Sequence, residues 1–90
     1  MKIVVNKRFG GFGISKEACQ ALEITVSHEV SRDDEKLIKL IESWGSEKVS
    51  DDFAKLKIVN IPDETTDWEI NDYDGYEEVT YVVNGLIYHM

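Results

Sequence analysis

Trp68-Glu69-Ile70-Asn71-Asp72-Tyr73-Asp74-Gly75-Tyr76-Glu77-Glu78-Val79-Thr80-Tyr81-Val82-Val83-Asn84-Gly85-Leu86-Ile87-Tyr88-His89-Met90 decides the fold. It holds two turn dipeptides, Asp74-Gly75 and Asn84-Gly85, each between runs rich in β-branched and aromatic residues. Type I′ hairpin turns need φ > 0 at both central residues, which Asp-Gly and Asn-Gly tolerate. The spacing predicts a three-stranded meander: Trp68–Tyr73, Tyr76–Val83 and Leu86–Met90. Each turn also sets a register. Counting back from Asp74-Gly75 pairs Tyr73 with Tyr76, Ile70 with Val79 and Trp68 with Tyr81. Counting back from Asn84-Gly85 pairs Val83 with Leu86, Tyr81 with Tyr88 and Val79 with Met90. Both counts yield the same apolar face, with Trp68, Ile70, Val79, Tyr81, Val83, Leu86, Tyr88 and Met90. The other face carries Glu69, Asn71, Glu78, Thr80 and His89, with Tyr73, Tyr76, Val82 and Ile87.

Upstream of the meander, Leu56–Ile61 reads as a strand ended by Pro62, which has no amide to donate. An acidic loop, Asp63–Asp67, leads from it to Trp68. Lys2–Asn6, with Ile3-Val4-Val5 at its centre, reads as another strand. Ser15 is a good N-cap for a helix over Lys16–Leu22, with Glu17 in its first turn. Ile24–Val30 alternates apolar and polar residues and predicts a half-buried strand with His28 on its packing face. Ser31 followed by Asp34 resembles a capping box for a helix over about 33–44. There Leu37, Leu40, Ile41 and Trp44 recur at helical spacing and Gly45 ends the run. The apolar side of the meander is the expected partner of that stripe. Ser46–Asp52 reads as irregular, with Phe53 and Ala54 tucked against the core. The expected architecture is α+β in one domain, 1–90: mostly antiparallel sheet, its C-terminal three-stranded meander packed against two helices. Strands fall near 2–6, 24–30, 56–61, 68–73, 76–83 and 86–89, helices near 16–22 and 33–44.

The formal net charge of −8 is unevenly spread. Residues 1–57 hold ten acids and ten bases, whereas 58–90 hold eight acids and no Lys or Arg. Those eight are Asp63, Glu64, Asp67, Glu69, Asp72, Asp74, Glu77 and Glu78. Such asymmetry speaks to partners and solubility rather than to fold. No segment reaches the ~18 apolar residues of a membrane span, and the start turns polar too soon for a signal peptide. The single Cys19 has no disulfide partner in the chain and reads as a small core residue. A soluble, cytoplasmic protein is expected.

Two blocks of sequence, Met1–Lys7 with Phe9–Ala18, and Leu56–Asp63 with Trp68-Glu69-Ile70 and Tyr73–Glu77, carry a resemblance. A looser middle block has Arg32-Asp33 and Leu37-Ile38. The chain resembles a family of small, functionally uncharacterised bacteriophage and prophage proteins from Met1 to about Glu78. Those relatives end in a charged tail, where this chain continues into Val79–Met90. The resemblance implies a phage or prophage origin and the cytoplasm of a host cell. It implies no activity.

Motifs for catalysis are missing. Gly11-Phe12-Gly13 opens a dinucleotide-binding pattern, but Lys16 stands where its third glycine belongs, so a tight turn is the simpler role. Asp72-x-Asp74-Gly75 suggests a calcium loop, yet Ile70 and Tyr81 occupy ligand positions. His28 and His89 lack spaced partners for a metal. No nucleophile sits in a G-x-S-x-G frame. No enzyme activity, cofactor or metal is expected. The leading expectation is a module that binds a host protein with a basic surface. It would use Asp63, Glu64, Asp67, Glu69, Asp72, Asp74, Glu77 and Glu78, with Tyr73 and Tyr76 as aromatic anchors. Carboxylates standing in for phosphates would make it a nucleic-acid mimic that inhibits host defence. The alternative is direct nucleic-acid binding by Lys7, Arg8, Phe9, Phe12 and Lys16, against an overall charge that repels polyanions. A third possibility is a homodimer through the edge strand Leu86–Met90.

Overall fold

An uninterrupted apolar run suits a strand covered on both sides. Ile3-Val4-Val5 lies in β1 (Lys2–Asn6), and all three residues are fully buried in the computed structural model, which describes residues 1–90. β1 pairs antiparallel with β2 (Leu56–Asn60), Ile3 opposite Val59 and Val4 opposite Ile58. One side of this ribbon meets a helical layer of α1 (Lys16–Leu22), α2 (Glu35–Trp44) and α3 (Ser46–Val49). Val4 and Leu56 pack there with Ile14, Ala18, Leu37, Ile38, Ile41, Val49 and Ala54. The other side meets the meander of β3 (Asp67–Tyr73), β4 (Tyr76–Val83) and β5 (Leu86–His89). Ile3, Val5 and Ile61 pack there with Val79 and Tyr81, flanked by Trp68, Ile70 and Val83. Each fully buried Val or Leu contributes about 1.5–3 kcal/mol. The two-stranded ribbon is therefore the middle of three layers.

The α+β class and the meander registers agree with the sequence expectations. Tyr73 pairs with Tyr76, Ile70 with Val79, Trp68 with Tyr81, and Tyr81 with Tyr88. Both hairpin turns have φ > 0 at both central residues: 51° and 91° at Asp74-Gly75, 51° and 79° at Asn84-Gly85. α1 starts where expected, with Ser15 Oγ accepting from Ala18 N at 3.2 Å.

Several elements differ. The meander does not lie under the Trp44-bearing helix, because β1 and β2 stand between them. The apolar face of the meander is covered only over β3 and β4. All of β5 is exposed: Tyr88 stacks on buried Tyr81 at 5.5 Å, but stays 42% exposed, and Leu86 and Met90 also face solvent. Ile24–Val30 is no strand. Its middle, Ser27–Glu29, is a single 3-10 turn, and His28 is exposed. The neighbouring edge of β1 is already taken, since Val4 N donates to Arg32 O at 2.7 Å. α2 is capped by Asp34, whose Oδ1 accepts from Leu37 N at 3.0 Å, and not by Ser31. Residues 46–49 form α3, with Ser46 Oγ donating to Leu56 O and Ser50 Oγ to Ser46 O. Phe53 is 69% exposed; only Ala54 reaches the core.

Candidate functional site

The Asp74-Gly75 turn is held from below by the glycine loop that follows β1. Gly10 N donates to Asp74 O at 3.1 Å. Gly75 packs so closely that a Cβ there would come within 2.7 Å of Gly10 N and Gly11 Cα. Only a glycine at position 75 lets the two backbones approach this far, whereas Gly10 and Gly11 are suited to their places by positive φ, 126° and 106°. The loop thus receives a hairpin rather than a phosphate, as the incomplete glycine motif suggests.

Asn6 is the hub beneath this junction. Its Nδ2 donates to Arg8 O and Gly75 O, both at 2.6 Å, and its Oδ1 accepts from Lys55 N at 2.8 Å. Its backbone N–H donates to Glu77 Oε1 at 2.8 Å. Asn6 is fully buried, yet an Asn ending an apolar run looks like an exposed strand end in sequence.

Glu77 corrects the list of candidate binding acids. It is only 3% exposed and is gripped by Arg32, with Nη1 to Oε1 at 2.6 Å and Nη2 to Oε2 at 2.8 Å. Such two-pronged pairing is the strong geometry for guanidinium and carboxylate. The signal was present in the register, which puts Glu77 on the same face as Val79 and Tyr81. Arg32 also donates to Val4 O at 3.2 Å and lies 3.6 Å from the Phe12 ring centroid. Asp63 is paired too, although its side chain is 90% exposed. The N-terminal ammonium donates to its Oδ1 at 2.8 Å, and that hydrogen bond, then the positive charge, holds the carboxyl below its usual value.

Glu64, Asp67, Glu69, Asp72, Asp74 and Glu78 are all exposed, and none has a cation within ion-pair distance. Glu69 and Glu78 lie on the outer side of the meander with Tyr73, which is 74% exposed, and half-buried Tyr76. Asp67 Oδ1 accepts from Trp68 N, and Asp72 Oδ1 from Gly75 N, so two of the carboxylates also shape their own backbone.

The basic N-terminal loop is folded against the same hairpin. Lys7 Nζ donates to Glu77 O at 2.7 Å and sits 5.0 Å from the Tyr76 ring centroid. Phe9 rests on Tyr76 with centroids 5.5 Å apart, and Arg8 donates to Asp52 O at 3.3 Å. Phe12 lies under Arg32, and Lys16 is exposed at the start of α1.

The remaining reactive groups are dispersed. Burial pushes the Cys19 thiol above its ordinary value, reinforced by the charges of Glu29 and Asp51. Cys19 Sγ donates to Ile14 O at 3.7 Å, as suits a small packing residue. No cluster of three or more His, Cys, Asp or Glu side chains is arranged to hold a metal. No helix is long and apolar enough to cross a membrane. A shallow surface depression is lined by Arg8, Ser46, Glu47, Ser50, Asp51, Asp52, Ala54 and Lys55, with both charge signs present. Comparison with protein-family models, with curated proteins and with solved structures gives no match.

Proposed function

We propose that this protein is a non-catalytic, phage-type accessory factor that binds a basic host protein through the outer face and hairpin end of the meander. One observation carries it: six exposed carboxylates spread along β3, β4 and the ends of that hairpin, none in an ion pair, with an exposed tyrosine among them. A merely solubilising surface needs the charges but not the aromatic. Interfaces draw energy from such aromatics, while complementary charge speeds encounter. Glu77 and Asp63 drop out of the contact set, leaving Glu64, Asp67, Glu69, Asp72, Asp74 and Glu78 with Tyr73 and Tyr76. Where the partner itself binds nucleic acid, these carboxylates take the place of phosphates and the complex inhibits it in the host cytoplasm. The nucleic-acid alternative is not favoured, because Lys7 is turned to a backbone carbonyl and the Tyr76 ring, and Arg8, though exposed, reaches Asp52 O.

Capture from host lysate with Glu69→Lys/Glu78→Lys, beside Glu17→Lys/Glu47→Lys on the helical layer, tests the proposal. Both variants change the net charge equally. A specific partner should be lost with the meander pair, kept with the helical pair, and released by raised salt. Equal loss with both pairs, or with neither, would overturn the assignment of the face.

A further inference from the structure

We propose that this protein self-associates by antiparallel pairing of β5 with β5 of a second copy, joining two meanders into one six-stranded sheet. Four of its nine exposed large hydrophobic residues lie on or beside this strand: Leu86 (60% exposed), Ile87 (66%), Tyr88 (42%) and Met90 (45%). β5 is also a free edge of the sheet. Val79 and Met90 exchange both backbone hydrogen bonds at 2.8 Å. Alternation along an antiparallel ladder then turns the N–H and C=O groups of Leu86 and Tyr88 towards β4. Those of Ile87 and His89 point out of the sheet.

These free groups are self-complementary. With a twofold axis through Tyr88, Ile87 of each copy meets His89 of the other, and four hydrogen bonds close. Tyr88 then faces its equivalent, and Leu86 faces Met90 of the second copy. On the face shared with Tyr81, apolar residues thus meet apolar residues along the seam, while Ile87 meets His89 on the other face.

The other edges contrast with this one. The edge strand β3 carries Asp67, Glu69 and Asp72, charges that oppose pairing with an identical strand. The outer edge of β1 is occupied by Arg32. β5 has no Asp, Glu, Lys or Arg, so it offers nothing to a charged partner. The two copies of Glu78 would stand three strand spacings apart across the sheet, about 14 Å, and six residues apart along it, about 20 Å, well beyond the ~8 Å screening length at physiological salt. Repulsion between the acidic faces is therefore weak at the seam, and both faces lie on the same side of the joined sheet. A strand-edge contact is small, which makes the association concentration-dependent.

Sedimentation or light scattering across a concentration series should show the mass rising from 10.3 kDa towards twice that value, more readily at higher salt. Ile87→Pro removes an N–H that β4 does not use, so it should keep the wild-type circular dichroism and remain at the monomer mass. In a Cys19→Ser background, Tyr88→Cys should cross-link under mild oxidation far faster than Ile87→Cys. Residues facing each other in a non-hydrogen-bonded pair have Cα atoms about 4.5 Å apart, within disulfide reach. Mass fixed at 10.3 kDa up to about 1 mM, association intact in Ile87→Pro, or faster cross-linking at Ile87 would each overturn the proposal.

Discussion

At the scale of single residues, the Arg32–Glu77 pair shows why a carboxylate in an acidic stretch need not face water. Glu77 sits at 4% side-chain exposure and Arg32 at 21%. The two halves of the pair are therefore unequal. Removing Glu77 leaves a guanidinium that water can still reach. Removing Arg32 leaves a carboxylate sealed in the fold, with only the Asn6 amide for company. Breaking a buried pair from one side typically costs about 3–5 kcal/mol because a charge is left uncompensated. Arg32→Met is expected to fall near that range. Glu77→Gln, which keeps an acceptor for Asn6, should cost about 1–3 kcal/mol. Urea unfolding of the two variants compares them directly. An equal or reversed order would show that water reaches Glu77 and that the grip of Arg32 is incidental.

At the scale of elements, the two hairpin turns form a controlled comparison. Gly75 and Gly85 occupy the same position of the same turn type, with φ of 91° and 79°. Nothing lies within 4 Å of a Cβ on Gly85, whereas one on Gly75 would overlap the backbone of Gly10 and Gly11. Gly85→Ala should therefore cost only the left-handed strain, about 1–2 kcal/mol. Gly75→Ala adds a clash against backbone, worth a further ~1–3 kcal/mol, and should loosen the contact between hairpin and glycine loop. Thermal unfolding measures the difference, and equal losses would mean the loop does not grip the turn. The turns were legible because Asp-Gly and Asn-Gly dictate local geometry, and the register follows by counting. Ile24–Val30 was not, because alternation reports only which side chains can be buried. Whether a strand forms depends on a free neighbouring edge, and Arg32 already occupies that of β1. The exposed acids were legible as a group, yet Glu77 separates from them only when the register is applied to it.

At the scale of the whole molecule, the order of the layers was hidden, since Ile3-Val4-Val5 cannot say what covers each side. The structure assigns Val4 to the helical core and Ile3 and Val5 to the meander core. Neither core is complete without β1, so loss of either should withdraw one wall of the other. Cross-layer bonds reinforce the link: Arg32, just ahead of α2, holds Glu77 of β4, and Asn6 of β1 holds the Asp74-Gly75 turn through Gly75 O. Each core conveniently has one tryptophan packed against it, Trp44 on the helical side and Trp68 on the meander side. Small single domains with shared cores usually unfold in one cooperative step. The single-tryptophan variants Trp68→Phe and Trp44→Phe should each show a fluorescence transition coincident with the far-UV circular dichroism of the same variant, with a similar slope in urea. Comparing probes within one variant removes any difference in stability caused by the substitution itself. A Trp68 signal lost at lower urea than the helical dichroism would mean that the meander peels from a surviving ribbon and helical layer. The acidic face would then ride on a separable element, and its carboxylates would not be held rigid for a partner.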